Sequence, residues 1–582
     1  MRWQDILTTG NNLMPSPLTL EDSLLDKMAS MLEAMAEPEE AEEAGDPPTL
    51  LQWTQQHRII QHRQTREYTP FRLDAYLWLV DVYNAIGSLE PGGRAVIRKA
   101  AQMGLTELAI NFTFYCIDVH GARVFYALPP GQGVIGDFAH DRIDPAIAHS
   151  PRIKEISAGT DNVGLKTFHR GALYVRGTHI PQGRPDKAAQ LSSVPADVAV
   201  IDEWDRVPPA AIPLIRDRLG DSHLKIELGL STPTYPGIGV DAEYQESDQR
   251  EPQIQCQSCG EWHWLEWELV AERDGRVAVC CPACGEVINR YLAWDQNRMR
   301  FVARNPESNV VGYWIPKLVS PRVDLVDLWR RSQSTDADEI LAFWNNDLGI
   351  AYEPKGARLS LELLRACARD YEMPDTAPWC AMGVDVGLML NVWIMEPRPH
   401  GQQRAVYIGE VGQWEELDRL MVRYNVGCCV VDDAPELTAD LAFARRWRGK
   451  VFLATYVESI PGSEWCQFDV RKQKIRVERT AGLDRSHGNI EAQIDELPRD
   501  FEAIPGLVNQ MTVNLKVKGV KPDGTVFYHF PRTGKPDHYD HAKVYAEAAM
   551  ERLMKLRPSQ KSDDRAGGTP AGSSRHQYRG RL

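Results

Sequence analysis

Short apolar runs that alternate with helix-like stretches recur along most of this chain, and they constrain its fold more than any other feature. The first block extends from Thr49 to about Ser231 and contains the runs RAVIRK, RVFYALP, ALYVRGT, DVAVIDE and KIELGLST. The second begins at Trp379 with CAMGVDVG, AVYIGEV, GCCVVDD and KVFLATYV. Short buried runs separated by helical segments are typical of α/β domains with a largely parallel sheet. The sequence therefore predicts two α/β domains in tandem.

Length and composition agree with more than one soluble domain. The 582 residues are too many for a single hydrophobic core. The apolar content of 43% and the charged content of 25% exclude collagen-like and globally disordered classes. Because no apolar run reaches the roughly 18–20 residues of a spanning helix and no secretory signal opens the chain, we expect a cytosolic protein without a membrane partner. Its eleven cysteines are then expected to be thiols or metal ligands rather than disulfides.

The net charge of −15 is concentrated at one end of the chain. Residues 1–48 carry eleven acidic and two basic side chains, and we expect an acidic tail that is disordered or folds on a partner. Residues 555–582 carry seven basic and two acidic side chains, and the segment 557–582 is expected to be a disordered basic tail. The remaining charge neither excludes nor supports DNA binding through a local groove.

The segment VAVIDEWDR predicts a buried strand that ends in the adjacent carboxylates Asp202 and Glu203. In nucleotide hydrolases the first carboxylate at such a strand end holds Mg²⁺ and the second orients the attacking water. Taken alone, the same pattern also fits an ordinary strand that ends at a solvated acidic turn.

About a hundred residues earlier, KAAQMGLTE predicts a strand end, a loop and a helix start. Gly104 permits close approach of the backbone to a phosphate, and Thr106 offers a hydroxyl to Mg²⁺. The strict phosphate-loop pattern fails because Leu105 occupies the lysine position. We expect Lys99 and the backbone from Gln102 to Thr106 to hold the phosphates, whereas the alternative is a basic strand end before a helix cap.

Two further residue sets complete this hypothesis of an ATP site. Ser231 and Thr232 follow the apolar run LGL, where helicase-like motors place a hydroxyl pair that couples hydrolysis to movement. Tyr68 in EYTPFR precedes the first strand and is the candidate for stacking on adenine.

Four cysteines form two knuckles, CQSCG and CPACG, separated by 21 residues. This spacing is the sequence form of a four-cysteine zinc ribbon, in which all four coordination positions are filled by protein. We therefore expect a structural zinc in an insertion at 251–295, with the ligands Cys256, Cys259, Cys281 and Cys284.

The second block places acidic side chains at two strand ends and at the start of the final helix. RNase H-like nucleases bring carboxylates from such positions around two divalent ions, and oxygen ligands favour Mg²⁺ or Mn²⁺. The alternative for any single residue is a strand end or a helix cap. The candidate ligands are Asp385, Asp432, Asp433, Asp537, Asp540 and His541.

The order of these motifs resembles the large subunit of tailed-phage terminases, in particular the lambda-like group, over about Thr49 to Leu556. The residues that carry the resemblance are TPFRLDAY, KAAQMGLTE, VIDEWDR, STPT, EYQESDQR, FWNNDLGIAYEP, GVDVG, VVDDAPE and DHYDHAKVYA.

The resemblance implies a P-loop ATPase domain of the RecA/ASCE type with a zinc-ribbon insertion, followed by an RNase H-like nuclease domain. We expect the first at 49–355, a linker at 356–378 and the second at 379–556. The implied function is an ATP-driven motor that moves double-stranded viral DNA into a procapsid, joined to an endonuclease that cuts concatemers. The implied partners are DNA, a small terminase subunit and the portal, with a ring oligomer formed in the host-cell cytoplasm.

Two alternatives and one departure remain. An RNase H-like transposase or integrase would also use a carboxylate triad, and a catalytically dead packaging scaffold would explain the altered phosphate loop. The final helix reads His541-Ala542 where many relatives read Asp-Ala, so the third nuclease ligand stays open among Asp537, Asp540 and His541.

Overall fold

The computed structural model describes residues 47–556, except 63–64, 132, 181–190, 192–193, 274, 355, 434–436, 463, 521–524 and 533. The predicted acidic tail, but for its last two residues, and the predicted basic tail lie outside the described residues.

Up to residue 342 the described chain alternates strands and helices. The strands are β1 (Ile59–Gln61), β2 (Tyr68–Pro70), β3 (Arg94–Lys99), β4 (Arg123–Leu128), β5 (Ser157–Asn162), β6 (Leu165–Phe168), β7 (Ala172–Gly177), β8 (Val198–Asp202), β9 (Ile226–Ser231), β10 (Arg250–Gln255), β11 (Trp262–Trp264), β12 (Val270–Arg273), β13 (Arg276–Val279), β14 (Met299–Ala303) and β15 (Val310–Ile315). The helices are α1 (Leu50–His57), α2 (Leu79–Gly87), α3 (Leu105–His120), α4 (Val134–Phe138), α5 (Asp144–His149), α6 (Pro151–Ile156), α7 (Ala211–Arg216), α8 (Val240–Gln245), α9 (Arg290–Asp295), α10 (Leu325–Ser332) and α11 (Ala337–Ala342).

The first large sheet has the strand order β11-β10-β15-β3-β9-β8-β4-β7-β6-β5, with β14 also paired to β10. The strands from β10 to β7 run parallel, which confirms the prediction of a largely parallel sheet. Every residue of β8 and β9 is buried, because helices and loops cover both faces, and this explains their continuous apolar sequences. Since β9 lies between β3 and β8, the carboxyl ends of these three strands meet at one edge.

The remaining elements form a second sheet and the helices around it. Its strands are β16 (Cys380–Val386), β17 (Leu390–Pro397), β18 (Gln403–Val411), β19 (Val426–Asp432), β20 (Val451–Val457), β21 (Cys466–Asp469), β22 (Lys474–Glu478) and β23 (Asp495–Glu496), and a separate hairpin follows with β24 (Val517–Val520) and β25 (Val526–His529). The helices are α12 (Leu361–Cys367), α13 (Trp414–Arg423), α14 (Leu437–Arg446), α15 (Arg479–Glu491), α16 (Leu507–Met511) and α17 (His538–Leu556).

The second sheet has the order β21-β22-β20-β19-β16-β17-β18-β23. Three antiparallel strands, β16, β17 and β18, are extended by the parallel series β16, β19, β20 and β22. Separate hydrophobic clusters fill the two faces of this sheet. This is the mixed architecture expected for an RNase H-like domain.

Helix α17 packs directly on the backbone of β16. A Cβ atom at Gly383 would lie 2.0 Å from the carbonyl oxygen of Ala542 and 2.2 Å from the amide nitrogen of Ala546. Only glycine permits this approach, and it brings the start of α17 to the carboxyl ends of β16 and β19.

We predict that Gly383→Ala destabilises the second domain by about 3 kcal/mol or more, because the added methyl would meet backbone that cannot rotate away. The matched control is Gly488→Ala in α15, where a Cβ has nothing within 4 Å. That change should be neutral or should stabilise by about 0.5–1 kcal/mol. Calorimetric melting of the full chain checks both, and an unchanged melting profile for Gly383→Ala would contradict the packing.

Candidate active sites

The loop between β3 and α3 has the form of an anion cradle. Gln102 and Gly104 both have left-handed backbone conformations, with φ of 62° and 86°. Gly104 immediately precedes the sixteen-residue helix α3, whose first amides have no partner within the helix. Leu105 is 1% exposed and belongs to the hydrophobic core. The residue in the usual lysine position therefore packs in the core, and Lys99 places its ammonium beside this loop from the end of β3.

Asp202 lies at the end of β8, only 2% exposed, and faces the start of α3. It accepts a hydrogen bond from the Tyr126 hydroxyl at 2.9 Å, and the Thr106 side chain lies close enough to favour its charged form. Burial raises the pKa of Asp202, while the charge of Lys99 acts in the opposite direction. The structure thus brings together the hydroxyl and the carboxylate that the sequence assigned to Mg²⁺.

Glu203 is held in a left-handed conformation, with φ 56° and ψ 49°. For a residue with a side chain this conformation costs energy and is found preferentially at functional sites. It directs the carboxylate back toward the loop, where Oε1 lies 3.3 Å from Lys99 Nζ. The basic and acidic motifs, 104 residues apart in sequence, therefore meet at one point.

The hydroxyl pair after β9 is linked to the same strand end through Asp205, which the sequence analysis did not single out. The Asp205 amide donates to Ser231 Oγ at 3.2 Å, and the Ser231 hydroxyl donates to the Thr232 carbonyl at 2.9 Å. The Asp205 carboxylate accepts bonds of 2.7 Å from the amide and hydroxyl of Thr234 and from the amide of Val240. Burial raises its pKa to about 6. Its position in VIDEWDR, three residues after Asp202, was the available signal.

Tyr68, the candidate for adenine stacking, lies on β2 and is 39% exposed. Its ring stacks on His149 with the centroids 3.5 Å apart. One ring face is therefore already covered by protein.

The second site gathers at the carboxyl ends of β16 and β19. Val384 is the register partner of Val431, so the following residues, Asp385 and Asp432, lie side by side on neighbouring parallel strands. Burial and then the charge of Asp385 raise the pKa of Asp432 to about 7. Tyr545 on α17 donates to Asp432 at 3.2 Å.

The start of α17 supplies the rest of this second site. His541 Nε2 lies 3.1 Å from Asp537 Oδ2, and its Nδ1 lies 2.8 Å from the Tyr456 hydroxyl. Burial disfavours the charged forms of both Asp537 and His541. Their mutual contact acts in the opposite direction, and the pKa of Asp537 is lowered while that of His541 is raised. The charges of His541 and Asp385 also interact. Of the three alternatives for the third ligand, His541 therefore lies near enough to interact with both charges of the pair, and Asp537 is in contact with His541.

Two predicted ligands are directed elsewhere. Asp433 lies just past the end of β19, and its carboxylate contacts Lys474 Nζ at 2.8 Å and the Thr455 hydroxyl at 3.2 Å. Asp540 is fully buried and its Oδ2 contacts His487 at 2.8 Å and the Asn514 amide at 3.0 Å. In each carboxylate these contacts use Oδ2, while Oδ1 is buried without a hydrogen-bond partner among the described residues.

His538 is a site residue that the sequence analysis missed. Its Nδ1 lies 2.8 Å from Asp385 Oδ2, and this hydrogen bond raises the pKa of His538. The repeated histidines of DHYDHA were the available signal, but their pattern did not show which of them would face β16.

The four predicted zinc ligands converge. Their sulfur atoms all lie within 4.8 Å of one another, with Cys256 and Cys284 at 3.7 Å and Cys259 and Cys281 at 3.6 Å. Four sulfurs about 2.3 Å from a central ion would be separated by nearly these distances in a tetrahedron. His263 Nε2 adds a contact of 3.3 Å to Cys281 Sγ. In the described part of the chain no comparable group of three or more ligand atoms forms at Asp385 and Asp432.

Among the described helices, none is both long and apolar enough to cross a membrane.

Comparison with known proteins identifies both parts of the chain. Residues 66–298 match the ATPase domain of the phage terminase large subunit gpA, and residues 310–395 match the endonuclease domain of the same subunit. Together these matches cover more than half of the chain. The endonuclease match begins at β15, which is paired with β3 in the first sheet, and ends within β17.

Solved structures of phage terminases show limited similarity. The large terminase of bacteriophage HK97 is 12% identical over 86% of this chain and 99% of its own, with a TM-score of 0.48. A large terminase from a thermophilic bacteriophage is 10% identical over 83% and 100%, with a TM-score of 0.29. The large terminase nuclease of the thermophilic phage G20c is 14% identical over 34% and 90%, with a TM-score of 0.20.

Two sites at the ends of parallel strands and two domain matches lead to one conclusion. The chain belongs to the large terminase subunits of tailed phages, which carry an ATPase and an endonuclease for DNA packaging.

Proposed function

We propose that this terminase subunit uses two separate acidic sites, one for ATP hydrolysis and one for DNA cutting. The observation that carries the proposal is the placement of each acidic pair at the carboxyl ends of parallel strands, with its own neighbours. Lys99 and Thr106 contact the pair Asp202 and Glu203. A different set, from α17 and β20, surrounds Asp385 and Asp432.

In the ATP site, the loop backbone from Gln102 to Thr106 and the Lys99 ammonium would hold the phosphates. Thr106 and Asp202 would hold Mg²⁺, which neutralises charge on the phosphates. The residues fit a cation, because Asp202 is buried and burial raises its pKa despite the nearby charge of Lys99. Glu203 would orient the attacking water. Asp205 would keep the loop after β9, which contains Thr232 and Thr234, in contact with the end of β8.

In the nuclease site, Asp385 and Asp432 would hold Mg²⁺ or Mn²⁺, with Asp537 or His541 completing the set. Such ions activate water and stabilise the leaving oxygen in the cutting of a phosphodiester. The pair fits this role because burial and the charge of Asp385 raise the pKa of Asp432, and a bound cation would offset both effects. His538 would orient Asp385.

The four cysteines would hold one structural zinc. All four positions would be filled by sulfur, which leaves no place for a substrate. Amide hydrogen bonds from Ser258 and Cys259 lower the pKa of Cys256 against the effect of burial, whereas the pKa values of Cys259 and Cys284 are raised, with contacts to neighbouring thiols among the causes. A bound cation would favour the thiolate form of all four.

We assign the ATPase domain to 49–355 with the ribbon at 251–295, the linker to 356–378 and the nuclease domain to 379–556. The last β-strand of the first sheet ends at Ile315 and the first of the second begins at Cys380, which supports a boundary between them. The partners proposed from the family are double-stranded DNA, a small terminase subunit and the portal, with a ring of subunits acting in the host-cell cytoplasm. A transposase or integrase would have no use for the Lys99–Glu203 site.

We expect a change at each site to remove one of the two activities and to leave the other intact. Glu203→Gln should lower DNA-stimulated ATP hydrolysis by about 100-fold or more and leave Mn²⁺-dependent plasmid cutting intact. Asp432→Asn should abolish cutting and leave ATP hydrolysis intact. Phosphate release and plasmid nicking by the full chain measure the two activities.

Asp433→Asn is the control for the nuclease variant, since it makes the same change one residue away. Its carboxylate contacts Lys474 and Thr455, and cutting should be largely retained. Full ATP hydrolysis by Glu203→Gln, or equal losses in Asp432→Asn and Asp433→Asn, would refute the corresponding assignment.

We predict one zinc per chain, lost when Cys281 is changed to serine. Cys280→Ser is the control, because Cys280 is the adjacent thiol but contacts the Ala278 carbonyl instead of the cluster. Elemental analysis of purified protein should give about one zinc for the control and none for Cys281→Ser, whose ribbon should also become sensitive to protease. Equal zinc content in both variants would contradict the assignment.

A further inference from the structure

The segment FWNNDLGI, residues 343–350, carries part of the resemblance to terminases but has no role in either site described above. It follows α11 and contacts the phosphate loop through its backbone. The Ala101 amide donates to the Asn346 carbonyl at 2.8 Å. Gly349 has a left-handed conformation, with φ of 65°, and a Cβ there would lie 2.7 Å from the Ala100 nitrogen. The segment therefore lies directly against the loop that we assign to the phosphates.

One side chain of this segment also contacts the loop that follows β9. Asn345 is 8% exposed, and its Nδ2 donates to the Thr234 carbonyl at 2.9 Å. Its Oδ1 accepts a hydrogen bond from the Tyr352 amide at 3.0 Å. Both ends of the buried amide are thus engaged, one with the ATPase core and the other with the chain that leads to the second domain.

These contacts continue a series of hydrogen bonds that begins at Asp205, just after the end of β8. Asp205, three residues after Asp202, binds the amide and hydroxyl of Thr234, and Thr234 in turn binds Asn345 through its carbonyl. Beyond Asn345 lies Tyr352, whose ring stacks nearly parallel to that of Trp344 at 6.0 Å. One path from the nucleotide site to Tyr352 therefore passes through the Asn345 side chain, beside the backbone contact between Ala101 and Asn346.

The other end of the segment is fixed. The Asp347 side chain is fully buried and lies 2.7 Å from both Lys317 Nζ and Arg331 Nη1. The Trp314 indole donates to the Leu348 carbonyl at 2.7 Å. These contacts hold residues 347–348 to the first domain, so Asn345 and Tyr352 lie on either side of a fixed point in the segment.

We propose that Asn345 is a positioning residue that transmits the nucleotide state of the ATP site to the stretch around Tyr352, which leads into the linker 356–378. A buried amide that loses a partner costs about 1–3 kcal/mol. When the Thr234 carbonyl moves, Asn345 therefore follows it and carries the Tyr352 amide along. The inference rests on ATP binding at the proposed site.

Asn345→Asp tests this proposal because it keeps an acceptor for Tyr352 and replaces the donor to Thr234 with an oxygen. Asn346→Ala is the matched control, since Asn346 is exposed and its described contact to the loop uses only its backbone carbonyl. Hydrogen exchange of the peptide containing residues 350–354 is followed in the full chain, with and without ATPγS. Plasmid cutting is measured under the same two conditions.

We expect ATPγS to change exchange in this peptide, and the rate of cutting, in the wild type and in Asn346→Ala. In Asn345→Asp both changes should disappear, while ATPγS still binds and cutting without nucleotide is unchanged. An equal response of Asn345→Asp and the control would overturn the proposal. So would an unchanged peptide in the wild type with ATPγS bound, a result that does not depend on the folding of any variant. If ATPγS fails to bind the wild type, the proposed ATP site is wrong and the inference falls with it.

Discussion

Parallel strand pairing is the constraint on which both sites of this terminase subunit depend. Neighbouring parallel strands end at the same edge of a sheet, so side chains distant in sequence meet where the strands stop. In the first sheet this edge brings the loop after β3 close to Asp202 and Glu203 at the end of β8. The hydroxyl side chains at the end of β9 lie between them. In the second it sets Asp385 beside Asp432. Different residues thus build two sites by the same geometric rule.

Each edge concentrates negative charge where little water reaches it. The pKa of Asp202 and that of Asp432 are both raised, chiefly by burial. A protein retains such carboxylates at a cost in stability, which a bound cation offsets. The neighbours differ in a way that suits the two reactions: Lys99 offers positive charge to phosphates, whereas His538 and His541 contact the carboxylates of the nuclease site.

The parts of the fold that the sequence predicted are those encoded locally. Continuous apolar runs identified β3, β4, β7, β8 and β9, since burial on both faces leaves a direct mark on composition. The spacing of the cysteines was sufficient to predict their convergence, because two short knuckles bring their sulfurs together. Gly104 was identified because a glycine before a helix start lets the backbone approach a phosphate, and it does directly precede α3.

What the sequence could not show depends on contacts between distant segments. The pattern Asp432-Asp433 does not say which carboxylate faces the site until the strand is placed in the sheet. Asp540 was a plausible ligand on helical spacing, but His487 and Asn514 approach it from elements that the spacing does not locate. Asp205 was likewise visible in its motif, while its partners become apparent only once the strands are assembled.

The most direct test of the central claim is to locate bound metal in the protein itself. Crystals grown with ATPγS and MnCl₂ can be examined by anomalous diffraction at the manganese edge. The account predicts manganese in two separate places, one between Thr106 and Asp202 and the other against Asp385 and Asp432. Manganese that binds instead at Asp433 or Asp540, or an absence of the metal from either strand edge, would contradict it.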